Sequence, residues 1–245
     1  QYHLLAMQAD TDEAKLLNFW IALESLLPRH KESVISALSK IVPSILASTY
    51  ANQLCIRLAM ALRKIAYCKE TKETRSLPEW MSRSLNKTKD PTRVVIDTHD
   101  ILQALTDIDN GDKILSLFKF VDDFPLLRHR FYTLWKNEFK SRATFRARLT
   151  NHQQHLDWQI RRIYRARNYV MHNGSSRSGL RYLAANLQIY FTGFVHTLLH
   201  DIKLHKLDSL ENAITYRLHA YNHLLAILQR PRSPISTANM LTLSF

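Results

Sequence analysis

The stretch from His152 to His172 reads HQQHLDWQIRRIYRARNYVMH and predicts an amphipathic helix. Its apolar residues recur at the i, i+3, i+4 spacing that places side chains on one helix face. That apolar stripe contains Ile160, Ile163, Tyr164, Val170 and Met171. Arg167 completes the stripe, seven residues after Ile160 and three before Val170, so we expect its guanidinium to point inward. The sequence Asn173-Gly174-Ser175-Ser176 is expected to end the helix.

An inward-pointing guanidinium needs a partner, because burying an unpaired cation costs several kcal/mol. The first long helix, predicted over residues 11–27, offers a carboxylate on its own apolar stripe, which contains Leu16, Leu17, Trp20, Leu23 and Leu27. Glu24 lies on that stripe, four residues after Trp20. We therefore expect Glu24 to pair with Arg167. The alternative is that such a pair only sets the register of two helices.

His172 closes the same helix just before the Asn173-Gly174 stop. Five residues along a helix turn the chain by about 140° beyond one full circle, so His172 does not share the face of Arg167. A long arginine and a histidine in a terminal, distorted turn can still converge. The helix dipole favours a protonated imidazole at this end, which leaves a plain C-terminal cap as the alternative role for His172.

The remaining sequence predicts an all-α fold. Only four glycines occur, too few for the glycine-rich loops of nucleotide-binding α/β folds or for hairpin-rich β folds, and no alternating β-branched run is long enough for a sheet. Further helices are predicted over residues 31–40, 43–67, 93–109, 112–121, 125–149, 178–204 and 208–229, with a loop and a short turn around Trp80 over residues 69–91. Residues 1–230 are predicted to form one domain, and residues 231–245 a loosely attached tail.

The positive charge of the chain is concentrated in one region. The net charge is +13, and residues 126–181 carry 13 of the 34 Lys and Arg residues but only two of the 21 acidic ones, Glu138 and Asp157. Charge concentrated in this way indicates a polyanionic partner. A solvated basic face without a ligand is the alternative interpretation.

Two segments together resemble HEPN domains. The first, Tyr164 to Gly174 or YRARNYVMHNG, contains Arg167, a polar Asn168 and His172 in the Arg-polar-x3-His order of that family. The second, Asn18 to Leu27 or NFWIALESLL, is similar to the early Ala-Leu-Glu helix of the ApeA-like HEPN group. The resemblance implies a helical bundle with inserted or additional helices. It also implies a homodimer that cuts RNA without a metal or other cofactor, in defence against phages or in toxin-type growth arrest.

The resemblance places Arg167, His172, Glu24 and Asn168 at the catalytic centre. In that chemistry the ribose 2′-OH attacks the adjacent phosphate, leaving a cyclic phosphate and a 5′-OH. Imidazole titrates near neutral pH and can act as base or acid, while a guanidinium can hold phosphate oxygens. Glu24 is expected to orient Arg167, and Asn168 to bind RNA or Glu24. Non-specific phosphate contacts are expected from Lys140, Arg142, Arg146, Arg148, Arg161 and Arg165. The target is expected to be tRNA or another cellular RNA, under the control of a regulatory domain or partner.

Three alternatives remain open. The domain can bind RNA or nucleotides without cutting, or serve as a helical interaction module whose aromatic run (Phe118, Phe120, Phe124, Phe131, Tyr132, Trp135) is an interface or, more simply, core. A zinc site is a third, since His152/His155, His196/His200 and His219/His223 have helical spacing, but no third ligand is evident besides the neighbouring Asp201. No metal site is predicted.

The sequence carries few signs of cellular location. No stretch of about 18 apolar residues predicts a membrane helix, and no leader for secretion is evident. Cys55 and Cys68 are interpreted as reduced, inert thiols, and a cytoplasmic location without membrane contact is expected. Because residue 1 is Gln, we expect a processed product or a piece of a longer chain, with room for a preceding domain.

Overall fold

The computed structural model describes residues 1–28, 32–66, 77–81, 96–106, 111–173 and 179–230. Over these ranges the chain is helical and contains no strand, which confirms the predicted all-α fold. The helices are α1 (Tyr2–Gln8), α2 (Asp12–Ser25), α3 (Val34–Ser48), α4 (Tyr50–Ala66), α5 (Thr98–Thr106), α6 (Asp112–Phe120), α7 (Pro125–Thr133), α8 (Arg142–Asn173), α9 (Leu180–His205) and α10 (Leu210–Gln229). A 3-10 turn covers Glu79–Met81, around the predicted Trp80 turn. The predicted tail over 231–245 and Cys68 lie outside the described residues.

Two predicted helix boundaries are wrong. The sequence predicts a break at Pro43, but α3 continues through this proline. An interior proline costs about 3 kcal/mol, and the burial of neighbouring side chains outweighs that cost. These buried neighbours are Leu38, Ile41, Val42 and Ile45.

α1 is not among the helices that the sequence predicts. Ala6 of this helix is buried, and the His3 ring stacks on Phe191 at 5.2 Å between ring centroids. These contacts attach α1 to the core.

The second wrong boundary concerns α8. The sequence predicts one helix over 125–149 and another over 152–172, yet α8 is continuous from Arg142 to Asn173. The break lies earlier, where α7 is followed by one π-helical turn over Leu134–Glu138. Ser141 then begins α8, because its Oγ accepts a hydrogen bond from the Thr144 backbone N–H at 3.1 Å. With 32 residues, α8 is about 48 Å long.

The predicted domain over 1–230 contains two compact units. The first comprises the described residues of 1–49 and 149–223. In it, α2 packs against α1 and α9, and α3 packs against α9. Gly193 permits a close approach of α9 to α3, since a Cβ at this position would lie 3.2 Å from Leu46 Cδ2. The core of this unit includes Leu16, Phe19, Trp20, Leu23, Leu38, Ile45, Ile160, Ile163, Val170, Leu187, Phe194 and Ile214.

The second unit comprises the described residues of 50–148 and 224–230. Here α4 packs against α5, and the Phe139 and Phe145 rings stack at 5.0 Å. Of the aromatic run singled out in the sequence, Phe120 and Phe131 are core, whereas Phe124 and Tyr132 are exposed. Cys55 is buried, and burial raises the pKa of its thiol to about 12, which supports its interpretation as an inert thiol.

One observation bears on membranes. Within the described ranges no single helix is long and apolar enough to cross a bilayer. Among the described helices, only α3 and α4 taken together have the required length and composition.

Candidate functional site

The C-terminal half of α8 has a buried face and an exposed face, as its sequence predicts, although Met171, which was predicted to belong to the buried face, is 56% exposed. Ile160, Ile163 and Val170 are buried, and the Tyr164 ring contacts Trp20 of α2 at 5.5 Å between centroids. The exposed positions from 158 to 173 are Trp158, Arg161, Arg162, Arg165, Met171, His172 and Asn173. Residues 158–173 contain four arginines and no acidic residue. On the exposed face Arg161 pairs with Asp157, whereas Arg162 and Arg165 form no ion pair with any described residue.

Arg167 is half-buried and lies at the spacing of the buried face, seven residues after Ile160 and three before Val170. One of its terminal nitrogens donates a hydrogen bond to the Asn168 Oδ1 at 3.1 Å. Its Nε is buried, and the described residues provide no acceptor for it. The guanidinium is therefore partly desolvated, and its charge would stabilise an anion that reached its exposed atoms.

The expected ion pair between Glu24 and Arg167 is wrong: in the described part of the chain no contact joins their charged groups. Glu24 is half-buried and lies in the last turn of α2, one residue before that helix ends. Water can solvate a carboxylate at such a position, so Glu24 does not need a cation. Asn168 instead supplies the acceptor for Arg167 from the same helix.

His172 lies in the last turn of α8, with an exposed side chain. α8 stays α-helical as far as Asn173, so the distorted turn that could bring His172 to the face of Arg167 is absent from this helix. Helix geometry instead places His172 on the face of Asn168, four residues earlier, and of Arg165, seven residues earlier. Asn168 is therefore adjacent to both motif residues. It accepts a hydrogen bond from Arg167, and it precedes His172 by one helical turn.

Arg142 was expected to contact phosphate, and this prediction is wrong. Its side chain is buried, at 9% exposed. One terminal nitrogen donates to the backbone carbonyls of Ile227 at 3.1 Å and Arg230 at 3.0 Å. These carbonyls belong to the C-terminal end of α10, where helix carbonyls lack partners within the helix. Arg142 therefore caps a helix and is not available to RNA.

Some of the other predicted phosphate ligands have partners within the protein, and others are exposed to solvent. Arg148 donates from Nε to the Tyr50 hydroxyl at 2.9 Å and lies 3.3 Å from Glu138 Oε2. The hydrogen bond to the Tyr50 hydroxyl, opposed by partial burial, leaves the pKa of Arg148 above its ordinary value. Arg161 is exposed but pairs with Asp157, at 3.0 Å. Arg146 is half-buried with partners of its own, while Lys140 and Arg165 are exposed.

Arg162 is not among the residues that the sequence predicts to bind phosphate. It is nevertheless exposed, and its guanidinium carbon lies 5.7 Å from the centroid of the Trp158 ring. Trp158 itself is 53% exposed, which is unusual for the largest apolar side chain. The signal was present in the sequence, because Trp158, Arg162, Arg165, Tyr169 and His172 recur at helical spacing on one side of α8.

The candidate zinc ligands do not form a site in the described residues, which contain no group of three His, Cys, Asp or Glu side chains able to hold a metal. Asp201, the neighbour of His200, is bound to Arg217 instead. Its Oδ2 accepts a hydrogen bond from Arg217 Nε at 2.7 Å, and its Oδ1 accepts one from a terminal nitrogen. The Asp201 carboxylate therefore binds Arg217 in the core and does not serve as a third zinc ligand for the neighbouring histidines.

Comparison of the chain with protein-family models, with curated proteins and with solved structures found no match. The function is consequently inferred from the geometry of α8 and from the chemistry of its residues.

Proposed function

We propose that this protein is a metal-independent endoribonuclease of the HEPN type, with His172, Arg167 and Asn168 at its centre. The observation that carries the proposal is an exposed imidazole at the end of a helix face that contains Asn168 and Arg165 and lacks acidic residues from 158 to 173. Such a face attracts a polyanion and presents a proton-transfer group to it.

The proposed reaction transfers the phosphate from one ribose oxygen to another. An imidazole takes the proton of the 2′-OH, the O2′–P bond forms, and the P–O5′ bond breaks as a second group protonates the departing 5′-oxygen. The Arg167 guanidinium stabilises the additional charge on the pentacoordinate phosphorus. Asn168 holds Arg167, since its amide oxygen accepts a hydrogen bond from the guanidinium in place of the Glu24 carboxylate.

The reaction needs a base and an acid, whereas each chain offers one His172. A homodimer related by a two-fold axis near the ends of α8 would supply a second imidazole, and we propose this as the active form. Because an uncontrolled ribonuclease is toxic, the proposal includes a regulatory domain or partner, a cytoplasmic location, and a role in phage defence or growth arrest. Its substrate is tRNA or another cellular RNA.

The test compares purified wild type with His172→Ala, Arg167→Ala and His155→Ala in an RNA cleavage assay containing EDTA. We expect His172→Ala to lower the rate by about 10²–10⁴-fold, as for a lost general acid or base. Arg167→Ala should lower it by about 10²–10³-fold, as for a lost donor to the transition state. His155→Ala is the matched control, because His155 is an exposed histidine of the same helix.

Two further outcomes decide the chemistry. Products should end in a cyclic phosphate, and a strand lacking the 2′-OH at the cleavage position should remain intact. Equal cleavage by wild type, His172→Ala and Arg167→Ala would contradict the proposal. RNA binding without cleavage by the wild-type protein would favour a second candidate function, a non-catalytic RNA-binding module, for which the exposed Trp158, Arg162 and Arg165 are sufficient.

A further inference from the structure

A cavity of about 230 Å³ lies between α8 and α9 in the first unit. Its lining residues are Arg162, Arg165, Ala166, Tyr169, Val170, Leu180 and Leu183. Val170, Leu180 and Leu183 are buried, so they form an apolar floor, while Arg162 and Arg165 are exposed and stand at the entrance. Sites for drug-sized ligands measure about 300–1,000 Å³. This cavity therefore suits a single ring system better than a large cofactor.

The charge at the entrance is not neutralised by the protein. Neither Arg162 nor Arg165 forms an ion pair with any residue that the structure describes, in contrast to Arg161, which pairs with Asp157. Two such guanidinium groups beside an apolar floor favour a ligand with a flat apolar part and a negative charge. A nucleotide has both features.

Aromatic side chains flank the entrance along α8. The Tyr169 ring lines the cavity, and Trp158 lies one turn before Arg162, whose guanidinium contacts the indole at 5.7 Å. Trp158 and Tyr169 are eleven residues apart, or about 16 Å along the helix. This distance exceeds the length of one nucleotide, so the two rings would contact different bases of a strand. Alternating aromatic and basic side chains are typical of surfaces that bind single strands, since bases stack on rings and phosphates bind arginine.

We infer that this cavity binds one unpaired base of an RNA strand, with Arg162 and Arg165 on the flanking phosphates and Trp158 as a stacking surface for a neighbouring base. The inference rests on the proposed function for the identity of the strand. It adds a base-binding subsite separate from Arg167 and His172, neither of which lines the cavity. His172 follows Tyr169 by three residues, so a strand anchored here has a phosphodiester directed towards the end of α8.

The experiment measures binding by fluorescence anisotropy with 2′-O-methyl strands, which cannot undergo 2′-OH attack. One strand is fully abasic, and the other is identical except for a single adenine. The wild-type protein should bind the adenine strand about tenfold more tightly, because stacking of one base contributes about 1–3 kcal/mol. Ala166→Phe fills the cavity and should abolish this difference. Ala185→Phe is the matched control, since Ala185 is exposed on α9 and does not line the cavity.

A second variant keeps the test decisive if Ala166→Phe fails to fold. Tyr169→Leu removes a lining ring and should also reduce the adenine-dependent gain. The inference is overturned if the wild type shows no gain from adenine, or if the gain persists in folded cavity variants. Displacement of the strand by micromolar AMP would overturn it too, since the site would then belong to a free nucleotide.

The outcome is independent of the cleavage assay. In one outcome, cleavage depends on His172 and the cavity variants keep the adenine-dependent gain in affinity; this supports the nuclease and contradicts the base subsite. In the other, the cavity variants lose that gain in affinity and the wild type shows no metal-free cleavage; this supports the subsite and contradicts the nuclease.

Discussion

Two arginines of α8 show how burial decides the role of a side chain. Arg142 is buried, and one of its terminal nitrogens donates to two backbone carbonyls. Arg167 is only half-buried, and one of its terminal nitrogens donates to the side chain of the neighbouring Asn168. The first arrangement stabilises a helix end, whereas the second leaves part of a guanidinium accessible to an anion. Sequence spacing alone does not distinguish the two.

The role of Arg142 gives a prediction at the scale of the residue. Arg142→Met should lower the free energy of unfolding by about 1–3 kcal/mol, since the carbonyls of Ile227 and Arg230 lose a charged donor. Urea denaturation measures this change. RNA affinity should stay within about twofold of the wild type, because the buried side chain does not face solvent.

Arg165→Met is the matched comparison. Arg165 is exposed, so its replacement should leave the urea midpoint unchanged while it weakens RNA binding. The opposite pattern, with stability lost at Arg165 and RNA affinity lost at Arg142, would contradict the assignment of these two arginines.

At the scale of the element, α9 and α10 are joined by a buried ion pair. Asp201 of α9 is 0% exposed, and Arg217 of α10 is 1% exposed. Two hydrogen bonds connect the carboxylate and the guanidinium. The chain reverses between the helices at Lys206, which adopts a left-handed conformation with φ of 50°. The pair fixes the register of the two helices, since a charge shifted away from its partner would be buried alone.

Removal of one partner should therefore be costly. We expect Asp201→Asn to lower the free energy of unfolding by about 3–5 kcal/mol, because Arg217 is left as an uncompensated buried charge. The double variant Asp201→Leu with Arg217→Met should recover most of that loss, since an apolar pair replaces the ions without leaving a charge. Thermal and urea denaturation of the three proteins measure both effects. A double variant as unstable as Asp201→Asn would argue against a purely electrostatic origin of the loss.

At the scale of the whole molecule, the basic region over 126–181 is less available than its composition indicates. Arg142, Arg148 and Arg161 have partners within the protein, so the exposed charge is concentrated on fewer residues. Among these, Arg162 and Arg165 lie on the same side of α8 as His172. Arg130, Lys136 and Lys140 are also exposed and precede α8, so one part of the available charge lies beside the motif and another part lies on the preceding segment.

This charge gives a prediction about salt dependence. RNA affinity should fall with rising salt, and the slope of log K against log salt should decrease by about 0.7 for each phosphate contact removed. Arg162→Gln and Arg165→Gln should each reduce the slope by about this amount, while Arg142→Met should leave it unchanged. Titrations of a single-stranded RNA at several salt concentrations provide the measurement. A slope that none of these variants changes would show that RNA binds elsewhere.

Some properties follow from the sequence alone, because they depend on residues within a few turns of one another. The scarcity of glycine and the spacing of apolar residues predicted the all-α fold and most helices. The same spacing predicted the buried face of α8 around Ile160, Ile163 and Val170, and the position of His172 in its last turn. These features are local, since helix periodicity and helix ends are set by adjacent turns.

Other properties were decided only by the tertiary structure, because they depend on which distant segments meet. Arg142 caps carbonyls up to 88 residues away, and Asp201 meets Arg217 across two helices. Burial of α3 overrides the break expected at Pro43, and the end of α2 leaves Glu24 too solvated to require Arg167. The cavity beside Tyr169 exists because α9 packs next to α8. Burial and partners at such separations determine what a charged side chain can do, and no local pattern encodes them.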